Sequence, residues 1–187
     1  MKELNNILKT KNELPLSRAT VINILFSNNW IKDALLIELK PYELSLEQFN
    51  VLRILRGQNG KPINLQDIQE RMVSKMSNTT RLVDKLITKK FVKRITCKEN
   101  RRKVEISITD LGKETLKKID PLIESAEKNI TKNLTQDELL QLNKLSMAFL
   151  SDSFMNFTTF FHSTHFKDLN FYSSLFSNLC SFFISKK

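Results

Sequence analysis

The chain has 187 residues, with 30 Lys and Arg against 20 Asp and Glu, a net charge of +10 and 41% hydrophobic residues. That is one domain of ordinary size with some length to spare, and it is apolar enough to fold. Three Gly and four Pro are too few for an all-β protein or a Gly-rich phosphate loop, and two Cys exclude a disulfide scaffold and a four-cysteine zinc site.

The predicted elements follow in chain order. Residues 1–16 are polar and read as an N-terminal arm, frayed or extended, without the apolar run of a secretory signal. From Ser17 to Lys40 apolar residues recur at helical spacing (Val21, Leu25, Phe26, Trp30, Ile31, Leu35, Leu39), and Pro41 ends the helix. A second helix spans 45–57, with Phe49, Leu52 and Leu55 on one face; Gly57, Gly60 and Pro62 then mark a loop. Asn64 suits the N-cap of a short helix with Leu65, Ile68 and Met72 facing inwards. After a turn near Val73–Ser74, a helix is predicted from Lys75 to Lys89. Its inner stripe is Thr79, Leu82, Val83 and Leu86, and Ser77, Asn78, Arg81 and Lys85 lie opposite.

The period then changes from helical to alternating. Residues 91–96 and 104–108 are rich in β-branched side chains, and Val104, Ile106 and Ile108 alternate with polar neighbours as in a half-buried strand. A charged hairpin tip, residues 98–103, separates them. Thr109 caps a helix towards Ile119, with Pro121 as a kink or a break. Thr135 and Glu138 form a capping box for a last helix with the stripe Leu139, Leu142, Leu145 and Phe149. Residues 152–187 hold nine Phe and five charges without clean periodicity, and they read as a Phe-rich tail of poor order. No stretch offers the length and apolarity of a membrane span, and a cytoplasmic location without membrane contact is expected.

Residues 61–103 hold thirteen basic and four acidic side chains, nearly the whole positive excess. Such a surface attracts a polyanion or is a solvated face. The order helix, short helix, turn, helix, strand, basic hairpin, strand describes a winged helix-turn-helix. The second helix of that motif fits the major groove, and the hairpin reaches neighbouring phosphates or the minor groove. The fold class expected is mainly α with a small β-wing.

Residues 44–112 resemble the MarR (multiple antibiotic resistance regulator) family of bacterial transcription factors. The matching pieces are Leu44 to Leu52, Ser77 to Leu86, Phe91 to Arg94, Asn100 to Arg102 and Ile106 to Gly112, in the family's order and spacing. The resemblance extends over about 17–150 and stops before the tail. It implies that residues 17–43 and 113–151 are dimerisation helices flanking a winged helix-turn-helix over 44–112. Two departures stand out. The family usually places Asp-x-Arg at the wing tip, where this chain has Asn100 and Arg102, so no negative charge orients that arginine. Cys97 stands where an Asp often begins the wing, and it reads as an inert strand residue or a thiol made reactive by Lys98.

The reading is therefore a homodimeric, ligand-responsive DNA-binding regulator, a repressor acting on a pseudo-palindromic operator. Lys75, Ser77, Asn78, Thr80, Arg81, Lys85, Asn100, Arg101, Arg102 and Lys103 are its candidate contacts to double-stranded DNA. Arg81 and Arg102 are the candidates for base or groove readout. Arg101 and Lys103 suit phosphates, Ser77 and Asn78 suit DNA or a helix cap, and Lys89, Lys90 and Lys93 suit a solvated face. The resemblance implies a small aromatic effector near Phe26, Trp30 and Phe49, positions that composition alone assigns to the core. His162 and His165 lack further ligands nearby, so no metal and no cofactor are expected. No nucleophile–base pair suggests an enzyme. The rivals are a non-specific architectural DNA-binding protein and an adaptor acting through the tail.

Overall fold

The computed structural model describes residues 2–10, 12–74, 76–96 and 104–150. Lys75, the wing tip with Cys97 and Asn100 to Lys103, and the tail with its two histidines lie outside the described residues. The elements are α1 (Lys2–Ile7), α2 (Leu16–Leu39), a tight helical turn at Lys40–Tyr42, α3 (Leu46–Gly57), α4 (Leu65–Arg71), α5 (Thr79–Thr88), β1 (Val92–Thr96), β2 (Val104–Ile108), α6 (Asp110–Thr131) and α7 (Gln136–Leu150). The fold is mainly helical with one small antiparallel sheet, as expected. Residues 27–132 form one compact unit, and the described parts of 1–26 and 133–150 belong to a second.

Side-chain caps set most of the helix starts. Ser45 and Gln48 cap each other's backbone at α3, and Asn64 and Asp67 do the same at α4. Thr109 accepts the Gly112 N–H at α6, and Thr135 with Glu138 closes the expected box at α7. The Glu138 carboxyl is held below its ordinary pKa, first by the Thr135 backbone N–H and then by the Thr135 hydroxyl. Three expectations need correction. The N-terminal arm is neither frayed nor extended at its start: residues 2–7 form α1, and Leu4 is buried. The helix expected from Lys75 begins four residues later, because the Asn78 side chain takes the Arg81 N–H at 3.0 Å and so acts as the cap. Pro121 neither kinks α6 to an end nor breaks it. Its ring lies on the exposed side, while buried Leu116, Ile119 and Ile123 hold both halves of the helix on the core.

The core of the 27–132 unit is built by Leu39, Val51, Leu52 and Leu55, by Ile68 and Met72, by Val83 and Leu86, and by Ile106, Leu116 and Ile119, each almost wholly buried. β1 and β2 pair from Val92 with Ile108 to Thr96 with Val104. The loop read from Gly57, Gly60 and Pro62 hides a third strand in embryo. Ile63 exchanges both backbone bonds with Ile106, at 3.0 and 2.8 Å, so β2 lies at the centre of the wing sheet. This pairing ties the wing to the entry of α4.

The α5 helix ends on a left-handed residue. Lys90 has φ of 62°, its N–H bonds to the Ile87 carbonyl, and the Phe91 N–H reaches back to Leu86. This is the Schellman pattern, in which Gly is the preferred residue because it has no Cβ to crowd the carbonyl. Lys90→Gly is expected to raise stability by about 0.5–1 kcal/mol, read as a higher urea midpoint at unchanged slope. An unchanged or lower midpoint would show that the lysine stem compensates for the strain.

The apolar stripe predicted for residues 17–40 divides. Leu39 is buried and Leu35 half-buried, but Val21, Phe26, Trp30 and Ile31 are exposed. In α7, Leu142, Leu145 and Phe149 are exposed as well. Among the described residues no helix is long and apolar enough to cross a membrane.

Candidate nucleic-acid interface

The exposed face of α5 is set by what its other face buries. Thr79, Val83 and Leu86 sit in the core with Leu82 half-buried beside them. At about 1.5–3 kcal/mol for each fully buried aliphatic side chain, this packing fixes the rotation of the helix. Thr80, Arg81, Asp84 and Lys85 are thereby left exposed. Among the described residues Arg81 and Lys85 enter no ion pair, so both present an uncompensated positive charge. Arg81 is the third residue of the helix, in its first turn.

Polar contacts fix the helix-turn-helix angle. The buried Thr79 hydroxyl donates to the Gln69 side chain of α4. The Asn50 side chain of α3 accepts the Val73 N–H at 3.2 Å. The wing root is tied to α5 by Arg94, which meets Asp84 at 2.8 Å. Both partners are partly exposed, so this pair is worth at most about 1 kcal/mol; its effect is to orient the wing. On the other side of α3, Arg56 forms a bidentate pair with Asp120 of α6.

The structure brings Thr80, Arg81 and Lys85 onto one face. It places Ser77 and Asn78 in the approach to the helix, where Asn78 is committed to capping. Lys75 and Asn100 to Lys103 fall outside the described residues. Lys89 is not part of a solvated face: it donates to Glu43 at 2.8 Å. That hydrogen bond, with the charge attraction, holds the Glu43 carboxyl below its ordinary pKa. Lys90 is committed to the left-handed cap, and Lys93 is exposed. Phe49 is core, with the Arg53 guanidinium 5.7 Å from its ring centre, whereas Phe26 and Trp30 are exposed on α2, against the expectation from composition. Sequence patterning missed Asn50, Gln69 and Asp84. A helical period marks which side of a helix is polar but not which polar residue finds a partner across a turn.

Residues 44–104 match the MarR family model. Over this segment the chain is similar to the MarR family. The uncharacterised HTH-type transcriptional regulator YfiV of Bacillus subtilis is 38% identical over 71 residues, covering 38% of this chain and 43% of that protein. The HTH-type transcriptional regulator TcaR of Staphylococcus aureus is 31% identical over 100 residues, covering 52% and 64%. The chain thus matches about half the length of these relatives. Among solved structures, a cysteine-to-serine mutant of MarR from E. coli complexed with operator DNA is similar, at a TM-score of 0.63 and 26% identity. The match covers 79% of this chain and 97% of that one. A MarR transcription factor from Planctomyces limnophilus superposes at a TM-score of 0.58 with 27% identity, covering 73% and 99%.

Proposed function

We propose that this protein is a DNA-binding transcriptional regulator that acts as a homodimer in the cytoplasm, a repressor relieved by a small aromatic effector. The observation that carries the reading is the outer face of α5, where Thr80, Arg81 and Lys85 project from a helix-turn-helix whose inner face is locked in the core. A neighbour of the same fold is known with operator DNA. In this reading α5 enters the major groove, with Lys75, Ser77 and Asn78 at its approach and Lys85 further along. Asn100, Arg101, Arg102 and Lys103 form the wing contacts.

The exposed apolar residues along α2 and along α7 support the dimer. Large apolar side chains recurring on the exposed side of a helix suit a protein interface. Two copies would place two α5 helices in successive major grooves about one helical turn apart, which calls for a pseudo-palindromic site. The effector acts by favouring one of two conformations of that dimer.

Fluorescence anisotropy on DNA from the protein's own upstream region, with a scrambled duplex as control, tests the reading at about 50 and 200 mM salt. Binding at least about 10³-fold tighter than to the control, and surviving the higher salt, is the expected result. Equal and salt-erased binding to both duplexes would instead favour an architectural role. Arg102→Ala is expected to weaken binding on every duplex and to flatten the salt slope by about one contact; an unchanged slope would remove Arg102 from the interface.

A further inference from the structure

The turn between α4 and α5 presents apolar side chains where a basic interface would be expected to be polar. Val73 is 85% exposed, the highest value among the exposed large hydrophobic residues described, and Met76, three positions on, is 56% exposed. Scattered exposed apolar residues need no explanation, but this pair lies in a turn that is held in place. The Val73 N–H is bonded to the Asn50 side chain at 3.2 Å, and the Ser77 N–H closes the turn on the Ser74 carbonyl at 3.2 Å. Met72, just before it, is 1% exposed and anchors it in the core. The segment is thus pinned at both ends with its apolar side chains directed into solvent.

Its position decides what can cover it. Met76 precedes the Asn78 cap of α5 by two residues, so its Cα lies within about 8 Å of the Cα of that cap. The turn leads within three residues into the helix whose exposed side carries Arg81 and Lys85. A groove that receives Arg81 therefore passes close to it, which favours an anionic partner with an apolar feature inside the groove. In the major groove that feature is the C5-methyl group of thymine.

We propose that Met76, flanked by Val73, is a sequence-reading element that recognises a thymine methyl group at the edge of the major groove. The proposal rests on the DNA-binding reading above. It adds a specificity determinant that carries no charge and makes no hydrogen bond. Such a contact discriminates thymine from cytosine and uracil through one buried methyl group, while the basic residues supply affinity.

The test uses the full chain and a duplex enriched by it from a randomised library. Each thymine is replaced in turn by uracil, which removes the methyl group and leaves pairing intact. Wild-type protein is expected to lose about fourfold in affinity at one thymine per half-site, the value for one buried methyl at roughly 0.8 kcal/mol. In Met76→Ala the same replacement should cost nothing, and Met76→Leu should restore the sensitivity. Val73→Ala, a second variant on the surface, should reduce it in part. Tight binding that is indifferent to every uracil, or a uracil loss equal in wild type and Met76→Ala, would overturn the proposal and leave the regulator reading intact. A pool that yields no preferred sequence would overturn both.

Discussion

Replacing Arg81 by alanine is expected to lower affinity for the preferred duplex by about 1–3 kcal/mol, roughly 5- to 150-fold, and to lower affinity for random DNA far less. The argument starts from the cap. Asn78 takes the Arg81 N–H, so α5 begins at Thr79 and Arg81 falls in its first turn. Thr79 and Val83 on either side are buried, so the guanidinium can only point away from the core. No ion pair among the described residues holds it back. A planar fork with parallel donors matches two acceptors on a guanine edge, which a lysine ammonium cannot. Arg81→Lys should therefore retain most of the random-DNA affinity and lose the discrimination. Side-by-side anisotropy titrations on both duplexes check this. Equal losses on the two for Arg81→Ala would make Arg81 a phosphate contact and no more.

Gly112→Ala is expected to destabilise the fold, against the helix propensity of the substituted residue. Gly112 lies in the first turn of α6. An added Cβ there would sit 2.8 Å from Ile108 Cγ1 and 3.2 Å from the Phe91 carbonyl carbon, with the carbonyl oxygen closer still. That oxygen accepts the Thr109 N–H at 3.0 Å, and the Thr109 hydroxyl donates to the Lys90 carbonyl at 2.7 Å. The backbone therefore cannot recede without breaking the junction of β2, α6 and the α5 cap. Replacing a helical Gly by Ala gains up to about 1 kcal/mol, while overpacking of this kind costs about 1–3 kcal/mol. The crowding here involves backbone on one side, which places the cost at the upper end and the net loss near 2 kcal/mol. For a chain of this size that corresponds to a fall in Tm of roughly 4–8 °C. Gly57, also helical, has open space around it, so Gly57→Ala should be neutral or slightly stabilising. Scanning calorimetry on the two variants separates the contributions. A Gly112→Ala protein as stable as its parent would show that the junction relaxes.

Much of this architecture was legible before any coordinates, and the reason is local. Asn64 with Asp67 and Thr135 with Glu138 are capping pairs whose geometry is complete within four residues. The alternation of Val104, Ile106 and Ile108 and the helical spacing of Val83 and Leu86 are periods that a chain can satisfy in only one way against a core. The face of α5 that carries Arg81 and Lys85 followed from that period alone.

What failed to appear in the sequence is set by partners distant along the chain or by competition between neighbours. The start of α5 moved from Lys75 to Thr79 because Asn78 could either extend the helix or cap it, and the cap won. Lys89 lost its solvated role to Glu43, 46 residues earlier. The bridge from Ile63 to Ile106 and the pinning of Val73 by Asn50 have no signature within one window of sequence.

The winged helix-turn-helix, its basic character and the outward placing of Arg81 and Lys85 are written in short stretches, because caps, periods and charge are local properties. Packing settled that α6 passes through Pro121, that Phe49 is core while Phe26 and Trp30 are exposed, and that the α4–α5 turn holds Val73 and Met76 in solvent. Each of these depends on which surface another element covers, and burial is a property of the packed chain rather than of the residue.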